Sequence, residues 1–323
     1  MSAGGDPSKP SVLVLHDRPE DFRDLLRERF ADLSFTYATT TEEVPAALDA
    51  ARPEVVFSIK QSGFPGSAHR PVVDFPGVKW LQVGGSGYEH LVPWDARKLT
   101  VTNCAGVLSP YLAETVTGAM LMLNGGFPRY LRQQAAGIWA PRLFRPIQGQ
   151  TLLVVGLGQI GGHVAANAKA LGMRVLGMRR RQDPHPAADE ILPPDALFDA
   201  LGRADVVSLH LRLSEETRGL FGRRAFAAMK PGAVFINTAR GPIVEEAALV
   251  EALESGHLGG AYLDVFETEP LPPDSPLWRM ENAVLTPHAS DNVVGWPRLF
   301  ANFFADNLER WRAGKPLRNL VSG

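Results

Sequence analysis

Cysteine is all but missing from this chain: Cys104 is the only one among 323 residues. A single thiol excludes an intrachain disulfide framework and fits a reducing, cytoplasmic compartment. Net charge is equally scarce, with 33 Lys and Arg against 35 Asp and Glu. That balance excludes the strongly basic surface that nucleic acid or an anionic membrane would require. No run approaches the ~20 apolar residues that span a bilayer. The eight histidines show no metal-ligand spacing, and no metal site is expected. Residues 1–10 are rich in Gly, Pro and Ser, lack the apolar core of a signal peptide, and are expected to form a loose tail. Apolar content, by contrast, is ample. At 45% it reads as globular, and the length exceeds one ordinary core, which predicts two domains.

Short apolar runs alternate with helical patterns, the signature of a parallel α/β fold. Residues 12–15, 55–59 and 80–83 read as strands of a first, smaller unit, and Phe22, Leu25, Leu26 and Phe30 as a helical stripe. The chain leaves this unit around 101–103. Ser109 and Pro110 then open a helix as N-cap and first helical residue. Leu112, Val116, Ala119, Met120 and Leu123 form its apolar face, suited to an interface between domains or subunits. A second unit follows, with strands expected at 151–155, 173–177, 205–209, 233–237, 260–263 and 283–285. Trp296, Phe300, Phe303, Phe304, Leu308 and Trp311 recur at helical spacing. This last helix either returns to the first unit, the reading preferred here, or packs on the second.

The motif GLGQIG (156–161) follows the strand 151–155 directly and opens a helix. Gly156 permits a tight turn, Gly158 lets backbone approach a pyrophosphate, and Gly161 allows close helix–strand packing. Gln159 and Ile160 begin the helix, whose free N–H groups and dipole favour an anion. The pattern predicts a dinucleotide cradle. About 20 residues on, an NAD site carries an acid for the ribose 2′-hydroxyl. Here Arg179 stands 18 residues past Gly161, followed by Arg180 and Arg181. An Arg pair can grip a 2′-phosphate bidentately, so NADP(H) is the expected cofactor, with NAD(H) possible. A solvated basic run is the alternative.

Three later motifs supply a cation, a carboxylate and an imidazole: NTARG (237–241), DVFETEP (264–270) and TPHAS (286–290). A 2-oxo acid presents a carboxylate and a ketone on neighbouring carbons, which the flat guanidinium of Arg240 can bind. The alkoxide that forms on hydride arrival needs a proton, and His288 carries the side chain suited to giving it. Glu269 would orient that ring and favour its charged form.

Together these motifs resemble the D-isomer-specific 2-hydroxyacid dehydrogenase family, over nearly the whole chain and most densely at 150–290. The resemblance implies a doubly wound parallel-sheet (Rossmann) domain, 105–290, inserted in a smaller flavodoxin-like α/β substrate domain made of 1–104 plus 291–323. It also implies that Arg240, Glu269 and His288 are the catalytic residues. The segment 208–221 resembles the family's cofactor-side loop, with Leu211 and Thr217 as cofactor contacts and Arg212 standing where Pro is usual. Thr238 and Ala239 of NTARG are implied as further contacts. Asp264 resembles the residue that meets the nicotinamide carboxamide; a local cap of 265–267 is the alternative. Gly85, Ser86 and Gly87 look like the family's substrate loop, whose amides hold the carboxylate together with Arg240 and His288. An ordinary Gly-rich turn is the alternative there. The helix 112–123 resembles the family's dimer-forming region, which implies a homodimer; an intramolecular interface using the same face is the alternative.

The expected activity is reduction of a small 2-oxo acid, glyoxylate or hydroxypyruvate-like, to the D-2-hydroxy acid. Oxidation of another small anion such as phosphite, and a non-catalytic dinucleotide-sensing corepressor, are the alternatives. His210 reads as a packed, hydrogen-bonded residue and Cys104 as an apolar filler. Lys60 reads as a surface lysine and Trp296 as helix core.

Overall fold

Every ladder in the structure is parallel. The computed structural model describes residues 11–59 and 64–321. The 1–10 tail and Lys60 lie outside the described residues. The chain divides into one unit of Met1–Leu108 with Val293–Gly323 and a second of Ser109–Asn292.

In the first unit, β1 (Ser11–Leu15), α1 (Arg23–Arg29), β2 (Ser34–Ala38), α2 (Val44–Ala51), β3 (Val55–Ser58), α3 (Arg70–Asp74), β4 (Trp80–Val83) and β5 (Thr100–Asn103) follow in order. The strands lie in the order β2-β1-β3-β4-β5, the flavodoxin-like arrangement. Apolar residues on both pleats of β1 and β3 fit a sheet covered on both faces: Leu13, Leu15 and Val56 enter one cluster, Val12, Val14, Val55 and Phe57 another. β2 and β5 are the strands of this unit missing from the sequence reading. The Thr-rich TVTN of β5 carries no apolar run, yet it pairs with β4 from Trp80↔Thr100 to Val83↔Asn103.

The second unit runs α4 (Ser109–Asn124), α5 (Phe127–Ala135), β6 (Thr151–Val155), α6 (Gln159–Ala170), β7 (Arg174–Met178), β8 (Glu190–Leu192), α7 (Leu197–Arg203), β9 (Val206–Leu209), α8 (Arg223–Ala228), β10 (Ala233–Asn237), α9 (Glu246–Glu254), β11 (Leu258–Leu263) and β12 (Ala283–Leu285). Its sheet order, β12-β11-β10-β9-β6-β7-β8, is the doubly wound Rossmann order with one extra edge strand. One face buries Leu201, Phe226 and Leu249 of α7, α8 and α9; the other buries α4 and α6.

The apolar face of α4 makes an intramolecular interface, the alternative open in the sequence. Leu112, Val116, Ala119 and Met120 pack within this unit, in one cluster with Val164, Ala165 and Ala168 of α6. The unpartnered apolar surface lies further on. Phe127 and Leu131 on α5, then Ile138, Leu143 and Phe144, are exposed, and Trp139 is 96% exposed.

After this unit the chain returns as α10 (Trp296–Arg312), whose aromatics complete the core of the first unit. Phe304 stacks on Phe57 at 4.6 Å, and Trp311 on Trp80 at 5.5 Å. Asn307 Nδ2 donates to the buried Gln82 Oε1 at 3.0 Å. Such stacked pairs add directional attraction to area burial, which explains the placement of this helix. Trp296 is half-buried against Phe300, consistent with helix core. Among the described residues no helix is long and apolar enough to cross a membrane.

Candidate active site

Every motif of the second unit emerges at the carboxyl edge of the seven-stranded sheet, where open α/β sheets bind ligands. GLGQIG follows β6, the arginine run follows β7, and His210 follows β9. NTARG, DVFETEP and TPHAS follow β10, β11 and β12. These last three strands are neighbours, with Asn237↔Leu263 and Leu263↔Leu285 in register, so their loops leave the sheet side by side.

The glycine turn is built for a close-lying ligand. Gly156 has φ +101°, and a Cβ there would lie 2.7 Å from the His210 carbonyl oxygen. A Cβ on Gly161 would lie 2.3 Å from the Gly156 oxygen, so α6 starts against the strand only if this residue is Gly. Gly158 faces open space, and α6 has no side-chain cap, which leaves its first N–H groups for an anion. Three buried atoms lack protein partners at this edge: Arg179 Nε, His210 Nδ1 and Thr238 Oγ1. These features fit a dinucleotide. Leu211 packs beside Gly156, while the Thr217 hydroxyl closes its own loop by donating to the Arg212 carbonyl at 2.8 Å.

The arginine run is engaged by its own protein. Arg179 is turned inward and pairs with Asp183 at 3.1 Å. Arg181 reaches the other oxygen of the same carboxylate at 3.4 Å. Exposed Arg180 pairs with Glu216 of the 208–221 loop.

His288 and Glu269 meet directly: Nδ1 lies 2.8 Å from Oε2. The other carboxylate oxygen accepts from the Phe266 amide at 3.1 Å, which fixes the group from behind. His288 Nε2 carries no protein hydrogen bond among the described residues. Its backbone has φ +50°, a left-handed conformation uncommon for residues other than glycine. The Asp264 carbonyl holds it there, accepting from the His288 amide at 2.9 Å. Arg240 is exposed; it donates from Nη1 to the Ala239 carbonyl at 2.6 Å and has no carboxylate partner among the described residues. Asn237 shapes its loop at both ends, accepting from the Ala239 amide at 3.0 Å and donating to the Arg240 carbonyl at 3.2 Å. Gly241 lets this loop touch the next one, since a Cβ there would lie 1.7 Å from the Phe266 oxygen.

Asp264 does not cap 265–267: its side-chain contacts run to the loop after β12. Its buried carboxylate is the hub of the TPHAS loop. Oδ1 accepts from Thr286 Oγ1 at 2.6 Å, the Ala289 amide at 2.8 Å and the Ser290 amide at 3.1 Å. Oδ2 accepts from the Ser290 hydroxyl and, at 3.2 Å, from its amide. The hub continues to Tyr262, paired with Thr286 at 2.8 Å, and to Thr115 of α4, which donates to the Ser290 carbonyl at 3.0 Å. Sequence reading missed Asn237, Gly241, Thr286 and Ser290 as supports. The one available signal was their place inside the same motifs.

His210 is hydrogen bonded to Ser208 at 2.9 Å, and burial pushes its ring down to about 3, so it stays neutral. Cys104 is buried, and burial raises its thiol far above the usual range. In the first unit, the loop after β4 is pinned through its carbonyls: Cys104 N donates to Gly85 O at 2.7 Å and Asn103 Nδ2 to Ser86 O at 2.8 Å. The amides of Gly85, Ser86 and Gly87 have no protein acceptor among the described residues, although Glu89 lies beside Gly87.

Comparison with known proteins places this geometry. The profile of the D-isomer specific 2-hydroxyacid dehydrogenase NAD-binding domain matches residues 117–290. The chain belongs to that family. It is similar to glyoxylate/hydroxypyruvate reductase B of Klebsiella pneumoniae, 34% identical over 97% of this chain and 98% of the relative. Among solved structures, a D-isomer specific 2-hydroxyacid dehydrogenase family protein of Aeromonas salmonicida superposes with TM-score 0.84 at 31% identity, covering 97% of this chain and 99% of that one. A D-isomer specific 2-hydroxyacid dehydrogenase of Xanthobacter autotrophicus, solved with NADPH and MES, gives TM-score 0.79 at 31% identity, covering 96% and 98%. As a 2-hydroxyacid dehydrogenase the protein is an oxidoreductase, and its fold is the two-sheet α/β fold of that family.

Proposed function

We propose that this dehydrogenase reduces a small 2-oxo acid of the glyoxylate or hydroxypyruvate type to the D-2-hydroxy acid, using NADPH in preference to NADH. The observation that carries the proposal is the 2.8 Å Glu269–His288 contact, which leaves Nε2 of the ring open. Nucleotide bound at the glycine turn would supply the hydride. Arg240 binds the substrate's carboxylate and ketone oxygens with its unpaired guanidinium edge, orienting the carbonyl and stabilising the developing alkoxide. His288 gives that oxygen a proton from Nε2, while Glu269 holds the ring by Nδ1. The amides of Gly85, Ser86 and Gly87 are assigned to the substrate carboxylate, and Thr238 and Ala239 to the nucleotide. Preference for NADPH rests on Arg179 and Arg180, with no acid at the position where NAD sites carry one. The similar reductase from K. pneumoniae and the NADPH-bound relative support the reading. Initial rates with glyoxylate, hydroxypyruvate and bulkier 2-oxo acids, each with NADPH and NADH, test it. No turnover of any 2-oxo acid, or equal efficiency with both nucleotides, refutes the corresponding half.

The protein is further proposed to act as a cytoplasmic homodimer. The stretch on and after α5 exposes Phe127, Leu131, Ile138, Trp139, Leu143 and Phe144, apolar side chains that favour a covering partner. A second copy of this chain is the assigned occupant. Leu131→Asp should shift the mass in light scattering from dimer to monomer; a wild-type monomer at micromolar concentration rules the dimer out.

A further inference from the structure

The three arginines after β7 are not equivalent. Arg180 and Arg181 are 81% and 85% exposed at the side chain, whereas Arg179 is only 18% exposed. Only Arg179 is placed as a rigid part of the edge. Its Nη2 is taken: it pairs with the Asp183 carboxylate at 3.1 Å, donates to the Asp183 carbonyl and lies 3.4 Å from the Pro184 carbonyl. Its Nε is buried and has no partner. Nε and one Nη form the edge with which a guanidinium grips a phosphate bidentately. Half of that edge is therefore spare, and the other half is held by the Asp183 and Pro184 carbonyls with the Asp183 carboxylate against it. Gln182 sets the turn that brings Asp183 back, donating to the Arg179 carbonyl at 2.7 Å.

We infer that Asp183 is a resident competitor for the 2′-phosphate subsite, a specificity-determining residue that holds NADPH affinity below what Arg179 alone would give. The inference rests on the proposed role of Arg179 at the 2′-phosphate. A phosphate that takes both Nε and Nη2 must displace the Asp183 carboxylate and overcome its negative charge. A nucleotide without that phosphate leaves the Arg179–Asp183 pair in place. Asp183 therefore narrows the gap between the two cofactors, and its removal widens it. Exposed ion pairs each change an equilibrium constant by about 2–5-fold. Asp183 pairs with both Arg179 and Arg181, so a gain of about 3–10-fold is expected.

The experiment is calorimetric titration of the full chain with 2′,5′-ADP and 5′-AMP, and fluorescence titration with NADPH and NADH. Asp183→Asn should tighten 2′,5′-ADP and NADPH by about 3–10-fold relative to 5′-AMP and NADH. Glu216→Gln removes the same charge without touching Arg179 and should do less. In the Arg179→Ala background the gain from Asp183→Asn should shrink to no more than that of Glu216→Gln. Unchanged or weaker NADPH binding by Asp183→Asn overturns the inference, as does an equal gain from Glu216→Gln or a gain undiminished by loss of Arg179. Arg179→Ala alone separates the two levels. If it leaves 2′,5′-ADP binding unchanged, the 2′-phosphate role of Arg179 falls. If it weakens binding while Asp183→Asn gains nothing, only the competitor role of Asp183 falls.

Discussion

Asp264→Asn changes one atom at the centre of the TPHAS loop and exposes what that loop depends on. The carboxylate accepts five hydrogen bonds from three residues, Thr286, Ala289 and Ser290, in a site where Asp264 is 1% exposed. Bonds to a charged acceptor contribute about 1.5–3 kcal/mol each, neutral ones about 0.5–1.5. An amide keeps its oxygen for the Oδ1 donors but turns its NH2 toward the Ser290 amide, leaving donor facing donor. Discounted for non-additivity, the loss is about 2–4 kcal/mol. Most of it falls on the loop that holds His288 at its unfavourable positive φ. The expected outcome is a kcat for 2-oxo acid reduction lowered about 100-fold, faster amide exchange at 286–290, and nucleotide affinity changed less than threefold. Stopped-flow reduction, hydrogen exchange and fluorescence titration read the three quantities on one preparation. A large loss of nucleotide affinity with unchanged exchange would mean that the carboxylate serves the cofactor instead. Wild-type kcat would refute the support role outright.

Arg240→Lys keeps the charge but loses the planar fork, and kcat/KM for the 2-oxo acid should fall about 100-fold or more, with kcat contributing. Near-normal kinetics would move the anchor elsewhere. Gly241→Ala would place a methyl 1.7 Å from the Phe266 oxygen, so the two loops must separate; severe loss of soluble protein or of activity is expected, and a normally active, equally heat-stable variant would contradict the contact. His210 is pushed down to about 3 by burial, below its ordinary 6.5, so the unfolded chain takes up the extra proton between these values. Stability should therefore fall as pH drops through that window, by at most about 1.4 kcal/mol per pH unit from this group. His210→Asn should flatten that part of the urea-midpoint profile, and an identical slope would refute the assignment.

Local grammar made the nucleotide cradle legible: strand, glycines and helix stand next to one another in the chain. The order of the two sheets followed from the family resemblance and not from periodicity, which carries no strand order. β2, β5 and the three-residue β8 escaped notice because edge strands need no continuous apolar run. The stripe on α4 told that a face is buried but not against what, and α6 turned out to be its partner. The Asp264 hub was illegible because its donors lie 22–26 residues away, and their convergence depends on the path of two loops. The Arg179–Asp183 pair lies only four residues apart, yet whether an Arg faces a ligand or its own turn is a matter of backbone direction.

Connectivity has a consequence for how such a protein changes over time. The cradle and the Arg–Glu–His set are written in one uninterrupted stretch, 109–292, whereas the other unit is spliced from two pieces. Only two seams, at 108/109 and 292/293, join them. A double crossover at these seams transplants the whole constellation with its sheet intact. A single crossover inside the stretch separates the loop after β6 from the loops after β10–β12 and mixes strands that pair with one another. Recombination at the seams therefore passes on the whole stretch, the arginines after β7 included, whereas recombination inside it breaks the set.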